Sequence, residues 1–320
     1  MSLAEFALID RIRARTQGRQ DIVLGIGDDA ALLQPQAGHW LAVTADTLNA
    51  GVHFPPETPP ADIGWKTLAV NLSDLAAMGA TPAWGTLALS LPQAEAAWID
   101  AFADGFFALA DAHDWRLIGG DTTRGPLSLS VTAFGQVSHG QALRRDGAKV
   151  GDDVWVSGTL GDAAGALRLW KRGVLDVGVP AHDRCLEHLR QRLLRPTPRV
   201  ALGIALRGIA TAAVDVSDGL QADLGHITAR SGVAAQLDVE ALPISSALRA
   251  ALAGQARDCA LRGGDDYELC FTAPRHLRAT VLALADRLRL TLGRIGCINA
   301  GSHVQVEGDD GPAGYQHFGG

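Results

Sequence analysis

A chain of 320 residues, 47% hydrophobic and 20% charged, is long enough to bury a sizeable core and, on length alone, suggests two domains of a soluble globular protein. With 28 Lys and Arg against 35 Asp and Glu, the formal net charge is -7, which argues against a general nucleic-acid or anionic-membrane surface and confines any bound nucleotide to a local site. No apolar run approaches the ~18 residues of a membrane span. The start, "MSLAEFALIDRIRARTQGRQD", reads as a short amphipathic helix rather than a signal peptide. Cys185, Cys259, Cys270 and Cys297 form no CxxC pair and have no histidine at zinc spacing, so buried thiols in a reducing cytoplasm are expected.

Along the chain, "LGIGDDAALLQP" sets Asp28 and Asp29 behind two glycines and ahead of an apolar run. "HWLAVTADTL" alternates Leu41, Val43 and Ala45 with Ala42, Thr44 and Asp46, the period of a half-buried strand, so Thr44 and Asp46 project together. In "GWKTLAVNLSDLAAMGATP", Trp65, Leu68, Leu72, Leu75 and Ala76 recur at helical intervals up to Gly79 and Pro82, which places Thr67, Asn71 and Asp74 on another face. A helix is expected from Glu95 to about Ala112, then a short strand, "WRLIGGD", ending in Gly119, Gly120 and Asp121, and another in "LSLSVTAFGQV". "DGAKVGDDVWVSG" reads as a turn into the first strand of a second unit. Helices are expected over 163–172 and 183–194, before a break at "RPTPR". "GIATAAVDVSDGLQADLGHITARSG" reads as strand, acidic turn and helix, stopped by Gly232. Strands in "AAQLDV", "YELCFTA" and "GRIGCI" mix with helices near 245–253 and 275–288. The economical reading is two α/β or α+β domains, 1–138 and 139–320.

Acids recur at strand ends and turns in "TADT", "NLSDL", "GGDTT", "DVSDG" and "GGDDYE", more often than solvated turns require. Any one of them has an ordinary explanation, and Asp218 in "SDGL" reads equally as a helix N-cap. Asp74 is harder to explain that way, because it sits near a helix C-terminus, where the macrodipole disfavours an anion by roughly 0.3–1 kcal/mol. Carboxylates, a hydroxyl and backbone carbonyls are the hard oxygen donors that Mg²⁺ prefers, and Mg²⁺ is usually shared with substrate phosphates. The joint reading is several Mg²⁺ ions holding polyphosphate. Neither a GxxxxGK[ST] phosphate loop, nor a dinucleotide fingerprint, nor kinase signatures of the HRD and DFG kind are present, so metal rather than a lysine cradle must neutralise the phosphates of any ATP.

At these residues the chain resembles a family. "LGIGDDAAL", "TADTLNAGVHF", "KTLAVNLSDLAAMGATP", "LIGGDTTRGP", "DVSDGLQADLGH", "GGDDYELCF" and the terminal "GYQHF", in this order and spacing, closely resemble the thiamine-monophosphate kinases of the aminoimidazole ribonucleotide synthetase-like superfamily. "NLSDLAAMGA" alone indicates the superfamily, whereas "NAGVHF" and "GGDDYEL" select the kinases. The resemblance implies an N-terminal α/β domain whose sheet pairs with that of a second subunit, followed by a C-terminal α+β domain. It implies Mg²⁺ at Asp29, Thr44, Asp46, Asp74, Asp121, Asp215 and Asp218, with Asp28 a neighbour. ATP contacts are implied at Gly120, Asp121, Arg145 and Ser217, catalytic roles for Asp218 and Arg145, and thiamine-phosphate contacts at His53, Asp265 and Tyr315. Two departures stand out: Asp265 replaces a usual Glu, and His113 replaces a usual aromatic residue before the glycine pair.

Without the resemblance, His53 reads as a surface-loop histidine, Arg144 and Arg145 as a solvated pair before a turn, and Tyr315 as a packing anchor. With it, the expected reaction is direct in-line transfer from ATP to thiamine monophosphate in a cytoplasmic homodimer, with neither nucleic acid nor membrane as a partner. The rivals are another ATP-dependent synthetase of the superfamily and a metal-dependent nucleotide sensor without turnover.

Overall fold

The computed structural model describes residues 5–306. They form two units that change over at Gly140, with Ala76–Gly79 joining the second and Val177–Val179 the first.

The first unit runs α1 (Glu5–Arg13), β1 (Ile22–Leu24), β2 (Leu32–Leu33), β3 (His39–Asn49), α2 (Pro60–Ala77), β4 (Thr81–Leu91), α3 (Ala96–Ala112), β5 (Arg116–Arg124) and β6 (Ser128–Ser138). Its main sheet has the order β3-β6-β4-β5, antiparallel except for β4 and β5, which α3 connects in parallel. Helices α2 and α3 touch backbone to backbone. A Cβ at Gly64 would lie 2.1 Å from the Phe102 carbonyl oxygen, and one at Gly105 would lie 1.8 Å from that of Ala61. No larger residue permits this approach. Phe102, Phe106 and Trp115 fill the space beside it as a run of stacked and edge-on rings.

Three sequence expectations change here. Strand β4 is absent from the pattern reading because it is central and largely buried on both faces, which erases the alternation that reveals a half-buried strand. Strand β5 continues to Arg124, so Gly119, Gly120 and Asp121 lie within a strand and not at its end. The period of β3 is as expected but its apolar side is the exposed one: Leu41 is 47% and Val43 58% exposed, while Thr44 and Asp46 are half-buried under α2. Covered in this way, α2 buries Thr67 and Asn71 together with its leucines.

The second unit contains β7 (Asp153–Ser157), α4 (Asp162–Lys171), α5 (Arg184–Leu194), α6 (Val200–Ala205), β8 (Ala212–Asp215), α7 (Leu220–Ser231), β9 (Ala234–Leu237), α8 (Ser246–Leu252), α9 (Ala256–Arg262), β10 (Leu269–Ala273), α10 (Arg278–Leu288), β11 (Leu292–Asn299) and β12 (Val304–Val306). The sheet order is β12-β9-β11-β7-β10-β8, antiparallel except between β12 and β9. Val154, Val214, Val216, Leu220, Leu224, Ile227 and Ile298 pack in one core that fixes α7 on the sheet. Glu268 is fully buried and joins Arg199 through a two-point contact of 2.6 and 2.5 Å, Arg192 at 2.9 Å and the Ser157 hydroxyl at 2.5 Å. All four cysteines are free, Cys259 and Cys270 buried and the other two partly so.

Candidate active site

In the first unit, β3 and α2 bring three expected ligands together. Residues two apart on a strand share a face, so Thr44 and Asp46 both meet α2. The Thr44 hydroxyl donates to Asp74 Oδ2, and the Asp46 N–H donates to Asn71 Oδ1 at 3.2 Å. The carboxyls of Asp46 and Asp74 are hydrogen-bonded to each other, and Asp74 occupies the last turn of α2, which contains no basic residue. Burial first, then the charge and hydrogen bond of Asp74, push the Asp46 carboxyl from 3.8 up to about 7. Such a pair shares a proton near neutrality, and a divalent cation relieves the same repulsion. Two carboxylates and a hydroxyl fit Mg²⁺, which takes its remaining ligands from water and phosphate. Among the described residues no three His, Cys, Asp or Glu side chains converge.

Gly120 and Asp121 lie on the opposite edge strand of this sheet. The register places Asp46, Val131, Leu87 and Gly120 in one cross-strand row and Thr47, Ser130, Ala88 and Asp121 in the next. Adjacent rows face opposite sides, so Asp121 points away from the face that carries Asp46, three strand spacings or about 14 Å across the sheet. The sheet of a single chain therefore does not bring the two carboxylates to one point. At Gly120 a Cβ would lie 1.9 Å from the Leu87 carbonyl oxygen, so only glycine fits. A cavity of about 100 Å³, lined by Ile9, Ile12, Ile26, Leu87, Leu89 and Leu117, opens beside residues 119–122. His113 ends α3, and burial lowers its imidazole below the ordinary range.

The remaining first-unit candidates lie in loops. Asp28 and Asp29 are exposed beyond β1, where the Asp28 Oδ1 accepts the Asp29 N–H at 2.9 Å, so they close over no core. His53 is partly structural: its Nδ1 accepts the Asn49 N–H at 3.0 Å where β3 ends, and its carbonyl accepts from buried Lys66 at 3.0 Å.

In the second unit, Asp215 ends β8, buried, and Ser217 and Asp218 follow in a half-buried turn. Asp218 is not the N-cap of α7, because Gly219 occupies that position. Sequence reasoning missed the residue that shapes the turn. Asp223, inside the first turn of α7, accepts the N–H groups of Ser217, Asp218 and Gly219 on one oxygen, at 3.0, 3.0 and 3.1 Å. Burial pushes its carboxyl up to about 7. An acid in a first helical turn behind an Asp-Gly turn is the signal that was available, since such acids reach back to orphan N–H groups.

The "GGDDYE" loop packs on the same turn, where the Asp265 N–H donates to the Ser217 carbonyl and the Tyr267 N–H to that of Val216, both at 2.8 Å. Asp265 and Tyr267 both have left-handed backbones, with φ of 69° and 51°, and the Tyr267 hydroxyl donates to Asp265 Oδ1 at 3.1 Å. Asp266 and Glu268 are fully buried, and burial holds the Asp266 carboxyl well above the usual range, whereas Asp265 is partly exposed. Arg144 pairs with Asp146, and the side chain of Arg145 is exposed. Tyr315 lies outside the described residues.

Comparison with known proteins gives two family matches: AIR synthase related protein, N-terminal domain, over residues 27–137, and AIR synthase related protein, C-terminal domain, over 149–309. The chain is 49% identical over 331 residues to the thiamine-monophosphate kinase of Salmonella typhimurium, covering 99% of each. The crystal structure of thiamine-monophosphate kinase from Stenotrophomonas maltophilia matches with a TM-score of 0.92 at 70% identity, over 97% of this chain and 99% of that one. AaThiL complexed with AMPPCP and TMP matches with a TM-score of 0.78 at 33% identity, over 99% of each chain.

Proposed function

This chain belongs to the thiamine-monophosphate kinase family, and on that premise we propose that it transfers the γ-phosphoryl group of ATP to thiamine monophosphate in one in-line step assisted by several Mg²⁺ ions. The AaThiL complex, which holds AMPPCP and TMP, supports the two substrates. The observation that carries the metal-assisted reading is the Asp46 and Asp74 pair with the Thr44 hydroxyl, two acids pressed together between β3 and the end of α2 at a cost that a cation removes.

No catalytic base is needed. A phosphomonoester has a second pKa near ~6, so the acceptor oxygen is mostly deprotonated at pH 7. The barrier is the approach of two polyanions, and bound Mg²⁺ supplies charge neutralisation and alignment. Thr44, Asp46 and Asp74 would hold metal from the first unit, with Asp29 and Asp121, and Asp215 and Asp218 from the second. Ser217 and Gly120 would contact the nucleotide, and His53, Asp265 and Tyr315 the thiamine phosphate. Arg145, with Arg144 already paired to Asp146, would clamp phosphate oxygens together with Asp218's metal contact. The N–H groups of 217–219 are taken by Asp223, so that turn offers no backbone cradle and metal must carry the charge.

The reading includes a homodimer through the first unit. Trp40, Leu41 and Val43 leave the edge strand β3 exposed and apolar, the kind of edge that proteins usually cover, and a second copy would cover it. The deciding experiment is incubation with ATP, Mg²⁺ and thiamine monophosphate, followed by chromatography. Thiamine diphosphate and ADP are expected in equal amounts; ADP without diphosphate, or no turnover, would favour a rival synthetase or a sensor.

A further inference from the structure

We propose that Asp223 is a positioning residue, which by collecting the N–H groups of Ser217, Asp218 and Gly219 sets the direction in which the Ser217 hydroxyl and the Asp218 carboxylate leave their turn; this rests on the functional reading above. Three consecutive donors at 3.0, 3.0 and 3.1 Å converge on one Oδ2 of a side chain that is only 3% exposed. The contact is no ordinary cap. Asp183, which caps α5, precedes its helix and takes two N–H groups from within it, whereas Asp223 lies inside α7 and reaches back to the turn before it.

The lever is anchored at its base. The Asp223 N–H donates to the Gly219 carbonyl at 3.0 Å, and Leu220, Leu224 and Ile227 on the same helix are fully buried. The turn cannot relax sideways either. A Cβ at Gly219 would lie 2.7 Å from the Arg262 backbone, and the carbonyls of Val216 and Ser217 are held by the N–H groups of Tyr267 and Asp265. With carbonyls bound on one side and N–H groups on the other, the backbone of residues 217–219 is held in one course, which fixes the direction of the Cα–Cβ bonds of Ser217 and Asp218. Such preorganisation lets a metal and nucleotide bind without first ordering the loop.

The test uses the full chain with Asp223→Ala, which removes the acceptor, and Asp223→Asn, whose amide oxygen still accepts. Asp223→Ala should raise KM for Mg²⁺-ATP about tenfold or more and the half-saturating Mg²⁺ similarly, with KM for thiamine monophosphate within about twofold. Asp223→Asn should recover to within about threefold of the starting protein. Val233→Ala, a core truncation just beyond the far end of α7, should lower Tm without moving either Mg²⁺-ATP value. Should Asp223→Ala not fold, Asp223→Ser, too short to reach all three donors, takes its place with the same expectation. Thermal stabilisation by Mg²⁺-ATP is read in parallel and does not depend on turnover. A folded Ala or Ser variant with unchanged KM and unchanged stabilisation overturns the proposal, as does an equal shift in Val233→Ala. An unmodified protein that makes no thiamine diphosphate overturns the functional reading instead.

Discussion

Replacing Asp74 with Asn should abolish turnover and yet stabilise the metal-free protein. Asp74 sits in the last turn of α2, where the macrodipole disfavours an anion by about 0.3–1 kcal/mol, and it hydrogen-bonds the Asp46 carboxyl. Asp46 is raised from 3.8 to about 7, roughly three units, which sets a ceiling of about 4 kcal/mol on the pH-linked destabilisation. Asp46 is partly exposed, and solvent screening reduces this to about 1–2 kcal/mol. The sign follows from proton counting. Between pH 4 and 7 the folded chain holds a proton that the unfolded chain has lost, so the destabilisation is absent below about pH 4, grows as pH rises and is full above about 7. Asp74→Asn lowers the Asp46 pKa and flattens that slope. Burial, the larger cause of the Asp46 shift, remains in the variant, so thermal unfolding in EDTA from pH 4.5 to 8.5 should put it about 2–4 °C above the starting protein at pH 8 and level with it near pH 4.5. Asp223 titrates in the same window, so the difference between the two proteins is the measure. A variant that melts lower at every pH, or that keeps near-normal turnover with Mg²⁺, would refute the ligand role and leave Asp74 a structural residue.

Sedimentation at micromolar concentration should find a dimer, and Val43→Arg on the exposed side of β3 should give monomers with little activity; an active monomeric starting protein would contradict the architecture. Chiral γ-labelled ATP should give product inverted at phosphorus, with no ADP–ATP exchange in the absence of acceptor; retention would require a phosphoenzyme. Glu268→Gln should destabilise the protein by about 3–5 kcal/mol in denaturant titration, because Arg192 and Arg199 lose the charge that compensates their burial. Cys259, pushed up to about 11 by burial, should resist alkylation at pH 8 until the protein unfolds, and labelling of the native protein there would contradict its placement.

Residue spacing was enough to place the elements whose period is one-sided, and residue type was enough to indicate the chemistry they carry. The alternation of residues 41–46 gave β3 and the shared face of Thr44 and Asp46, the leucine spacing gave α2, and Gly232 with its φ of 66° ended α7 where expected. Clustered acids without a lysine loop pointed to metal-held phosphate, and the ordered motifs pointed to the family. Which face is buried was beyond the reach of spacing, because an alternating pattern has no sign: Leu41 and Val43 lie outward only because α2 covers the polar side. Strand β4 was invisible because burial on both faces removes periodicity. Among the acids of "GGDDYE", identical chemistry conceals different settings, and only the arginines packed around Glu268 and the left-handed backbone of Asp265 separate the buried acid from the partly exposed one. Sheet register alone sets Asp121 on the far face from Asp46, and only tertiary packing brings Asp223 under three N–H groups of its own chain, because which groups meet depends on how the helix lies on the sheet and not on how the residues are spaced.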